Sequence, residues 1–150
     1  MSTLSEQNKA IPSVSFANAL RFAKEAWGNV ALWDQVWDEL VASDMIWYFC
    51  GWSEPIRGTQ AKEFYADLYQ GFPDIELLSI ENAIAENDKV AFRSTIKGTH
   101  QGEFMGISPT GKSINASDLN LLRISEGKIV EWWYELNLLE VMKQIGVISD

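Results

Sequence analysis

The stretch from Gly98 to Gly146 reads GTHQGEFMGISPTGKSINASDLNLLRISEGKIVEWWYELNLLEVMKQIG and predicts most of the fold. Within it, residues 112–124 and the residues after Gly127 alternate apolar and polar side chains with the period of two that is typical of β-strands. Glycine-containing turns precede both segments, and an amphipathic segment follows the second. We therefore expect this third of the chain to supply two strands, a short C-terminal helix and one wall of a pocket.

Two further strands are predicted immediately upstream. Residues 75–86 and 89–98 have the same period, and the polar pair Asn87 and Asp88 between them suits a tight hairpin turn. On the second of these strands one face carries Val90, Phe92, Ser94 and Ile96. On the strand at 112–124, one face carries Ile114, Ala116, Asp118, Asn120, Leu122 and Ile124. An aspartate and an asparagine are thus placed beside apolar neighbours.

The N-terminal half of the chain favours helices. Apolar side chains at helical spacing predict helices over 13–27, 32–43 and 59–71, the third of them capped by Thr59. The aromatic segment from Met45 to Cys50 predicts a strand. Helices that precede a largely antiparallel sheet indicate an α+β fold, in which a curved antiparallel or mixed sheet wraps around three helices to form an α+β barrel.

The domain organisation follows from length and composition. The first twelve residues are polar and have no periodicity, so we expect a flexible arm at 1–12 and a single domain at 13–150. A chain of 150 residues with 47% apolar content can bury one core. The formal charge is −9 with scattered acidic residues, which argues against a nucleic-acid partner.

The composition also limits cofactors and location. No apolar run is long enough to span a membrane and no apolar leader is visible near the N-terminus, so we expect no membrane partner and a cytoplasmic location. A single histidine and a single cysteine do not make a metal-ligand set, and no GxGxxG motif follows a strand. We therefore expect neither a metal nor another cofactor.

Three polar residues are the first candidates for acid–base chemistry. If the face that carries Asp118 is concave, its apolar neighbours raise the pKa of the carboxyl and make it a candidate proton shuttle, with Asn120 and Tyr134 as hydrogen-bond donors. If that face is convex, Asp118 is only a solvated surface residue. His100 is a fourth and less favoured candidate. An ordinary imidazole titrates near neutral pH, but the position beside Gly98 and Gly102 favours a structural role that anchors the following GEFMG loop.

Aromatic residues are the candidates for substrate binding. Seven tryptophans occur in 150 residues, and rings that converge from several elements would suit a flat hydrophobic small molecule. For each ring taken singly, a place in the ordinary core is favoured over a binding role, because aromatic residues at helical spacing are more often core. The candidate substrate-binding residues are Trp27, Trp33, Trp37, Trp47, Phe64, Phe92 and Trp132.

A second set of apolar residues lies out of phase with the predicted core. Leu119, Leu121 and Trp133 fall on the opposite face of the predicted sheet. Large apolar groups on an exposed face mark interfaces, and a symmetric dimer is the simplest arrangement. We therefore expect a homodimer through the convex face of the sheet.

Three short motifs resemble a known family. The run GTHQGEFMGISPTGK at 98–112, the segment GKIVEW at 127–132 and the closing QIG at 144–146 are similar to the SnoaL-like polyketide cyclases, a branch of the nuclear-transport-factor-two-like cone folds. The resemblance spans residues 14–147 and is densest from Asp88 onward. It implies a cystatin-like cone and a cofactor-free acid–base reaction, the intramolecular aldol closure of a polyketide.

The catalytic positions of that family carry different residues here. In cyclases of this kind an aspartate on the last long strand is the acid and base, and its position falls at Tyr134. The remaining positions fall at Asn120 for a helper histidine, Trp27 for a tyrosine, and Phe64 or Tyr65 for an asparagine. In the ester-cyclase-like branch an aspartate begins the last helix, where this chain has Asn137.

Two classes of function therefore follow from the sequence. The first is a cyclase-like or isomerase-like enzyme on the same scaffold, in which Asp118 supplies the acid or base and the aromatic wall holds a polyketide-like or other small cyclisable metabolite. The second is a non-catalytic protein that binds a small hydrophobic ligand, as loss of the family's acid and base would predict. An association domain with a filled core is a third possibility.

Overall fold

A computed structural model describes residues 14–149, so the predicted arm at 1–12 lies outside the described residues. The helices and strands in chain order are α1 Val14–Ala26, α2 Trp33–Leu40, β1 Val41–Phe49, β2 Ile56–Arg57, α3 Thr59–Gly71, β3 Glu76–Glu86, β4 Lys89–Thr99, β5 Ser113–Ser125, β6 Lys128–Leu136 and α4 Leu138–Gln144. Helices precede most of the sheet, which confirms the predicted α+β class. No helix among the described residues is long and apolar enough to cross a membrane.

The strands form one six-stranded mixed sheet. Their order is β2-β1-β6-β5-β4-β3, and every neighbouring pair is antiparallel except β1 and β6. The parallel pair is possible because α3 and four strands separate β1 from β6 in the chain, which leaves ample length for a crossover. The sheet is open, with β2 and β3 at its edges, and the long strands β4 and β5 pair along their whole length.

The helices cover one face of this sheet. The buried side chains of α1 lie at Ala19, Phe22, Ala23 and Ala26 and pack toward β3, β4, β5 and β6. Alternation along β4 and β5 buries the face that includes Val90, Phe92 and Leu122, as the period of two predicts. Asp118 lies on this helix-covered face, so the concave alternative is the correct one.

The border between α2 and β1 differs from the prediction. The helical pattern predicted a helix to residue 43 and a strand from Met45, whereas the helix ends at Leu40 and the strand begins at Val41. Val41 pairs with Ile129 of β6, and the register shifts before the next pair at Ile46. Pairing with a neighbouring strand therefore overrides the helical periodicity, and an irregularity in the register between Val41 and Ile46 takes up the intervening residues.

Two smaller details also differ. Thr59 is the first residue of α3 rather than its cap, because Gly58 with a φ of 56° occupies the cap position and no side chain caps the helix. Strict alternation along β6 would place Val130 on the same face as Trp132 and Tyr134. In the structure Ile129 is buried and Val130 is half-buried, because the register between β5 and β6 shifts near Ile124. The strand regains the predicted phase at Trp132 and Tyr134.

A loop at residues 101–111 closes the end of α3. The backbone N–H groups of Gln101 and Gly102 both donate to the carbonyl oxygen of Gly71, at 3.0 and 3.1 Å. A Cβ atom on Gly102 would lie 2.1 Å from the carbonyl oxygen of Gln70, so only glycine permits this approach. Phe104 is the only buried residue between 101 and 111.

Candidate active site

A buried carboxylate is the centre of the candidate site. Asp118 of β5 is 3% exposed and accepts three side-chain hydrogen bonds. Ser94 Oγ and Asn120 Nδ2 donate to Oδ1, the latter at 2.8 Å, and the Tyr134 hydroxyl donates to Oδ2 at 3.0 Å. The register of the sheet brings these groups together, because Asp118 pairs with Ser94 of β4, and Asn120 pairs with Tyr134 of β6.

Burial and hydrogen bonding act in opposite directions on Asp118. Removal of the carboxylate from water raises the pKa of Asp118, and the hydrogen bonds from Ser94, Tyr134 and Asn120 offset part of that rise. The net pKa lies above the usual range of an aspartate. Burial, and then the negative charge of Asp118, also raise the pKa of Tyr134 well above its usual range. Tyr134 therefore keeps its proton, while the carboxylate of Asp118 is a stronger base than that of a surface aspartate.

An indole group extends the hydrogen-bond network. Trp132 Nε1 donates to Asn120 Oδ1 at 2.9 Å, which fixes the orientation of the amide so that its Nδ2 points to Asp118. Trp132 is 1% exposed and stacks on Trp47 with 4.2 Å between ring centroids. The side chains that hold Asp118 are therefore held in turn by the core.

A narrow apolar cavity adjoins this network. It has a volume of about 20 Å³, and its wall includes Trp27, Phe49, Phe72, Phe104, Ile114 and Tyr134. Among the described residues that line the wall, Tyr134 alone carries a hydroxyl group. Because Asp118 is not part of the wall, Tyr134 is the member of the hydrogen-bonded group that meets the cavity.

Most of the predicted substrate-binding rings lie in the core and not in the wall of this cavity. Trp27 lines the cavity and stacks on Tyr134 at 6.2 Å. The other six predicted residues, Trp33, Trp37, Trp47, Phe64, Phe92 and Trp132, pack into the hydrophobic cluster or against it. The geometry thus brings Trp27 together with Asp118, Asn120 and Tyr134, and places the remaining rings behind them.

His100 lies beside two rings of the cavity wall, Phe72 and Phe104, and is not itself part of the wall. Its ring is 0% exposed, stacks on Phe72 at 5.4 Å and lies edge-on to Phe104 at 6.4 Å. Nδ1 accepts the backbone N–H of Thr110 at 3.2 Å, and the backbone N–H of His100 donates to Lys112 at 2.9 Å. These contacts connect the two ends of the loop at 101–111.

Ser94 is a site residue that the sequence did not single out. Its hydroxyl lies in a row of apolar residues on β4 and is 1% exposed. A serine on a buried strand face needs a partner, because an unpaired buried hydroxyl is costly. That requirement is the signal that could have found it, since Asp118 is the buried acceptor on the neighbouring strand.

The described residues, 14–149, contain no cluster of side chains suited to bind a metal ion. No cluster there contains three or more His, Cys, Asp or Glu side chains in a position to hold one metal ion. Cys50 is buried, and burial raises the pKa of its thiol.

The raised pKa of Asp118 predicts a pH-dependent stability. In the window between the unfolded-state pKa of about 3.9 and the higher folded-state pKa, the folded protein binds more protons than the unfolded chain. Stability is therefore highest below that window and falls as pH rises through it. The Asp118→Asn variant lacks this titration. The free energy of unfolding of the variant minus that of the parent should therefore increase as pH rises from about 4 to 8.

Urea denaturation of both proteins across that pH range measures the difference. The comparison removes contributions from the other carboxylates, which both proteins share. A difference that is flat with pH, or that changes in favour of the parent as pH rises, would contradict the burial cause.

Comparisons with known proteins give the family of the chain. A sequence profile described as SnoaL-like polyketide cyclase matches residues 17–145. A search of curated proteins by sequence finds no significant match. A solved structure from Jannaschia sp. CCS1, provisionally described as a SnoaL-like polyketide cyclase, shares 30% identity with a TM-score of 0.82, and the match covers 91% of this chain and 94% of that chain.

Two further solved structures extend the comparison. AclR from Streptomyces galilaeus, provisionally described as a hydroxylase, shares 28% identity with a TM-score of 0.72, over 91% of this chain and 87% of that chain. A protein from Xanthomonas campestris described as having a cystatin-like fold shares 17% identity with a TM-score of 0.68, over 87% of this chain and 95% of that chain. The last similarity shows the fold alone and confirms the predicted cystatin-like architecture.

Proposed function

This chain belongs to the SnoaL-like polyketide cyclase family, and we propose that it is a cofactor-free enzyme that cyclises or isomerises a small apolar, polyketide-like metabolite by acid–base catalysis. The observation that supports this most directly is the hydrogen bond from the Tyr134 hydroxyl to Asp118 Oδ2, at 3.0 Å. The family resemblance assigns the acid–base aspartate to the position of Tyr134. In this chain the carboxylate stands on the neighbouring strand and reaches the cavity through the phenol.

The phenol and the carboxylate form a proton relay. A proton on a carbon next to a substrate carbonyl passes to the Tyr134 oxygen, while the Tyr134 hydroxyl proton passes to Asp118 Oδ2. The substrate becomes an enolate, Asp118 becomes a neutral acid, and Tyr134 remains a neutral phenol. The high pKa of Tyr134 agrees with this outcome because no free phenolate has to persist.

Two outcomes follow from the enolate. Return of the proton through Tyr134 to a different carbon gives an isomer. Attack of the enolate carbon on a second carbonyl of the same molecule forms a ring and an alkoxide, which then takes the proton from Asp118 through Tyr134. Both outcomes regenerate the carboxylate and need no cofactor.

Ser94 and Asn120 position the carboxylate in this scheme. They donate to Oδ1 and leave Oδ2 for Tyr134, so the two oxygens have separate tasks. The amide of Asn120 is itself fixed by Trp132. A carboxylate held in this way has one orientation toward the phenol, which removes the cost of orienting it during the reaction.

The cavity has to enlarge before it can hold such a substrate. Its volume of about 20 Å³ is close to that of one water-sized probe, far below the several hundred Å³ of ordinary ligand sites. The ring of Phe104, which belongs to the loop at 101–111, forms one side of the cavity. Displacement of this loop is the opening that disturbs the sheet least, because Phe104 is the only buried ring that it carries.

A proton-exchange assay tests the proposal without knowledge of the natural substrate. The apolar ketone 2-tetralone exchanges the hydrogens beside its carbonyl for deuterium in heavy water, and proton NMR follows the loss of signal. We expect the protein to accelerate this exchange above the rates in buffer and with heat-denatured protein. Equal rates in all three samples would contradict the enolisation step.

The small cavity also supports a second candidate function. An interior filled by aromatic rings suits a protein that binds a small hydrophobic ligand without changing it. A binding protein would change its NMR spectrum on addition of 2-tetralone and would leave the exchange rate at the buffer value. The same pair of measurements therefore separates the two functions.

We also propose that two copies of the chain associate through the open face of the sheet, defined by Tyr48, Leu119, Leu121 and Trp133. Trp133 stacks on Tyr48 at 5.2 Å with an interplanar angle of 3°, and Leu119 is 58% exposed. The Arg123–Glu131 ion pair, at 2.5 Å, lies beside these rings and leaves the face without an unpaired charge at that point. A flat aromatic surface of this kind suits a symmetric contact with its own copy.

The Trp133→Glu variant tests this association. A carboxylate on each copy would be buried against the other, so we expect the parent protein to sediment as a dimer and the variant as a monomer. Val147→Glu introduces the same charge at a residue that is 50% exposed elsewhere, and it should remain a dimer. A Trp133→Glu protein that is still dimeric would place the interface on another surface.

A further inference from the structure

The imidazole of His100 has one nitrogen that its protein contacts do not use. Nδ1 accepts the N–H of Thr110 at 3.2 Å and lies 3.0 Å from the hydroxyl of the same residue. A neutral imidazole with an acceptor at Nδ1 carries its proton at Nε2. Nε2 is buried and has no hydrogen-bond partner among the described residues, so the ring presents a free N–H donor inside the protein.

The neighbouring rings do not satisfy this donor. Phe72 stacks nearly parallel to the imidazole, with an interplanar angle of 27°, so an N–H in the plane of the imidazole does not point at its face. Phe104 is perpendicular, but its centroid is 6.4 Å away, too far for an N–H to rest on the ring. A buried donor without an acceptor is unfavourable in the free protein and is therefore ready for an acceptor from a ligand.

The two rings that contact His100 also line the cavity next to Tyr134. Phe72 and Phe104 belong to the cavity wall, and Tyr134 meets the same cavity beside Trp27 and Phe49. The Tyr134–Asp118 relay meets this cavity through Tyr134, and the His100 donor lies behind the Phe72–Phe104 side of its wall.

The segment that closes the cavity also covers His100. Residues 103–109 lie between two fixed points. One is the pair of bonds from Gln101 and Gly102 to Gly71, and the other is formed by the bonds of Thr110 and Gly111 to His100, with the Gly111 N–H donating to the His100 carbonyl oxygen at 2.8 Å. Within the segment, Phe104 and Ile107 are bridged by bonds of 3.0 and 2.8 Å. Movement of this short turn withdraws Phe104 from the wall and uncovers the imidazole edge, without breaking the bonds at either fixed point.

We infer that His100 Nε2–H donates a hydrogen bond to a carbonyl oxygen of the ligand at the Phe72–Phe104 side of the cavity. This inference rests on the proposed function and names the partner of the proton relay: Tyr134 takes a proton from carbon, and His100 stabilises the oxygen on which the enolate charge develops. The ligand class is an apolar molecule with a carbonyl within reach of His100 and an acidic C–H within reach of Tyr134. A hydrocarbon of the same shape makes the same apolar contacts with the cavity wall but cannot accept the hydrogen bond from His100 Nε2–H.

Nitrogen-15 NMR tests the inference directly, because the chain contains a single histidine. The probes are 2-tetralone and tetralin, which have the same ring skeleton with and without the carbonyl. We expect the free protein to show the Nε2–H tautomer, and 2-tetralone to shift the Nε2 and Hε2 signals more than tetralin does. Equal shifts with both probes, or no shift with the ketone, would overturn the assignment.

A variant separates the donor from the anchoring of the loop. In His100→Asn the shorter amide can still accept the Thr110 N–H, but the Nε2 donor is gone, and we expect exchange of 2-tetralone to fall by about 100-fold or more. Thr110→Val keeps the imidazole and removes the Thr110 hydroxyl, with its contact to Nδ1 and its bond from the Lys112 N–H at 3.3 Å. A loss of the same size in both variants would show a role in loop structure and overturn the inference.

The outcomes also separate this inference from the proposed function. If the parent protein catalyses exchange and His100→Asn catalyses it equally well, the relay stands and the His100 donor is wrong. If the parent protein catalyses no exchange but 2-tetralone alone shifts Nε2, the donor is supported and the enzyme proposal fails.

Discussion

Replacement of Asp118 by asparagine should lower the protein-catalysed exchange of 2-tetralone by about 100-fold or more, the usual scale for one general acid or base. The amide has nearly the same size as the carboxyl and retains an oxygen that can accept from Ser94 and Asn120. It has no basic oxygen for the Tyr134 proton, so the relay ends at the phenol. Binding of the ketone should change much less than the rate.

The pH profile distinguishes a chemical role of Asp118 from a structural one. The carboxylate form is the base, so the rate after subtraction of the buffer reaction should rise with pH through the raised pKa of Asp118. In Asp118→Asn that inflection should disappear rather than move. Asp118→Glu restores a carboxyl and should recover the inflection, although a longer side chain lowers the absolute rate.

An exposed aspartate supplies the matched control. Asp67 lies on the solvent side of α3, so Asp67→Asn makes the same chemical change without touching the site. It should exchange 2-tetralone at the parent rate. A parent-like rate in Asp118→Asn would remove Asp118 from the mechanism and favour the binding function.

The period of two predicted the parts of the structure that matter most for the site. Strands β4 and β5 have bounds within one or two residues of the prediction, and their alternation placed Asp118 and Asn120 on one face. The pattern along one strand could not show which face is covered. The helices decide that, because α1 packs on the side of Leu122 and Phe92.

Contacts between distant residues were beyond the sequence pattern. Ser94 reaches Asp118 only because the register of β4 and β5 pairs these residues, and a shift by one residue would turn each to the opposite face. The helical stripe of α2 likewise continued through Val41, and only pairing with β6 ends the helix at Leu40. Local patterns thus predicted elements, whereas register and pairing determined the site.

The size of the cavity was also outside the reach of the sequence. The aromatic residues suggested either a binding site for a flat ligand or an ordinary core, and in the structure the rings fill most of the interior themselves. For example, the ring centroid of Tyr65 lies 4.7, 4.9 and 6.0 Å from the ring centroids of Trp27, Trp37 and Trp47. How rings from different helices and strands interlock depends on their rotamers, which the order of residues along one element does not encode.

The interlocked rings predict the largest change in stability. Trp47→Ala should lower the free energy of unfolding by about 3–5 kcal/mol, the usual cost of removing a buried aromatic ring. Trp47 is 0% exposed, stacks on Trp132 at 4.2 Å and contacts Phe49 and Phe64 edge to face at 5.5 and 5.4 Å. The strands β1 and β6 pair directly at Trp47 and Trp132, so the neighbours cannot move in to fill the space.

Urea denaturation measures this loss against two further variants. Trp52 is 43% exposed, so Trp52→Ala should cost clearly less than Trp47→Ala. Trp47 Nε1 is buried and has no hydrogen-bond partner among the described residues, so the loss in Trp47→Ala comes from packing and not from a hydrogen bond. Trp47→Phe keeps a stacking ring and removes that unpaired N–H, and its cost should therefore fall well below that of alanine. Equal losses in the phenylalanine and alanine variants would show that the indole N–H has an acceptor and that ring packing is not the main source of stability at this position.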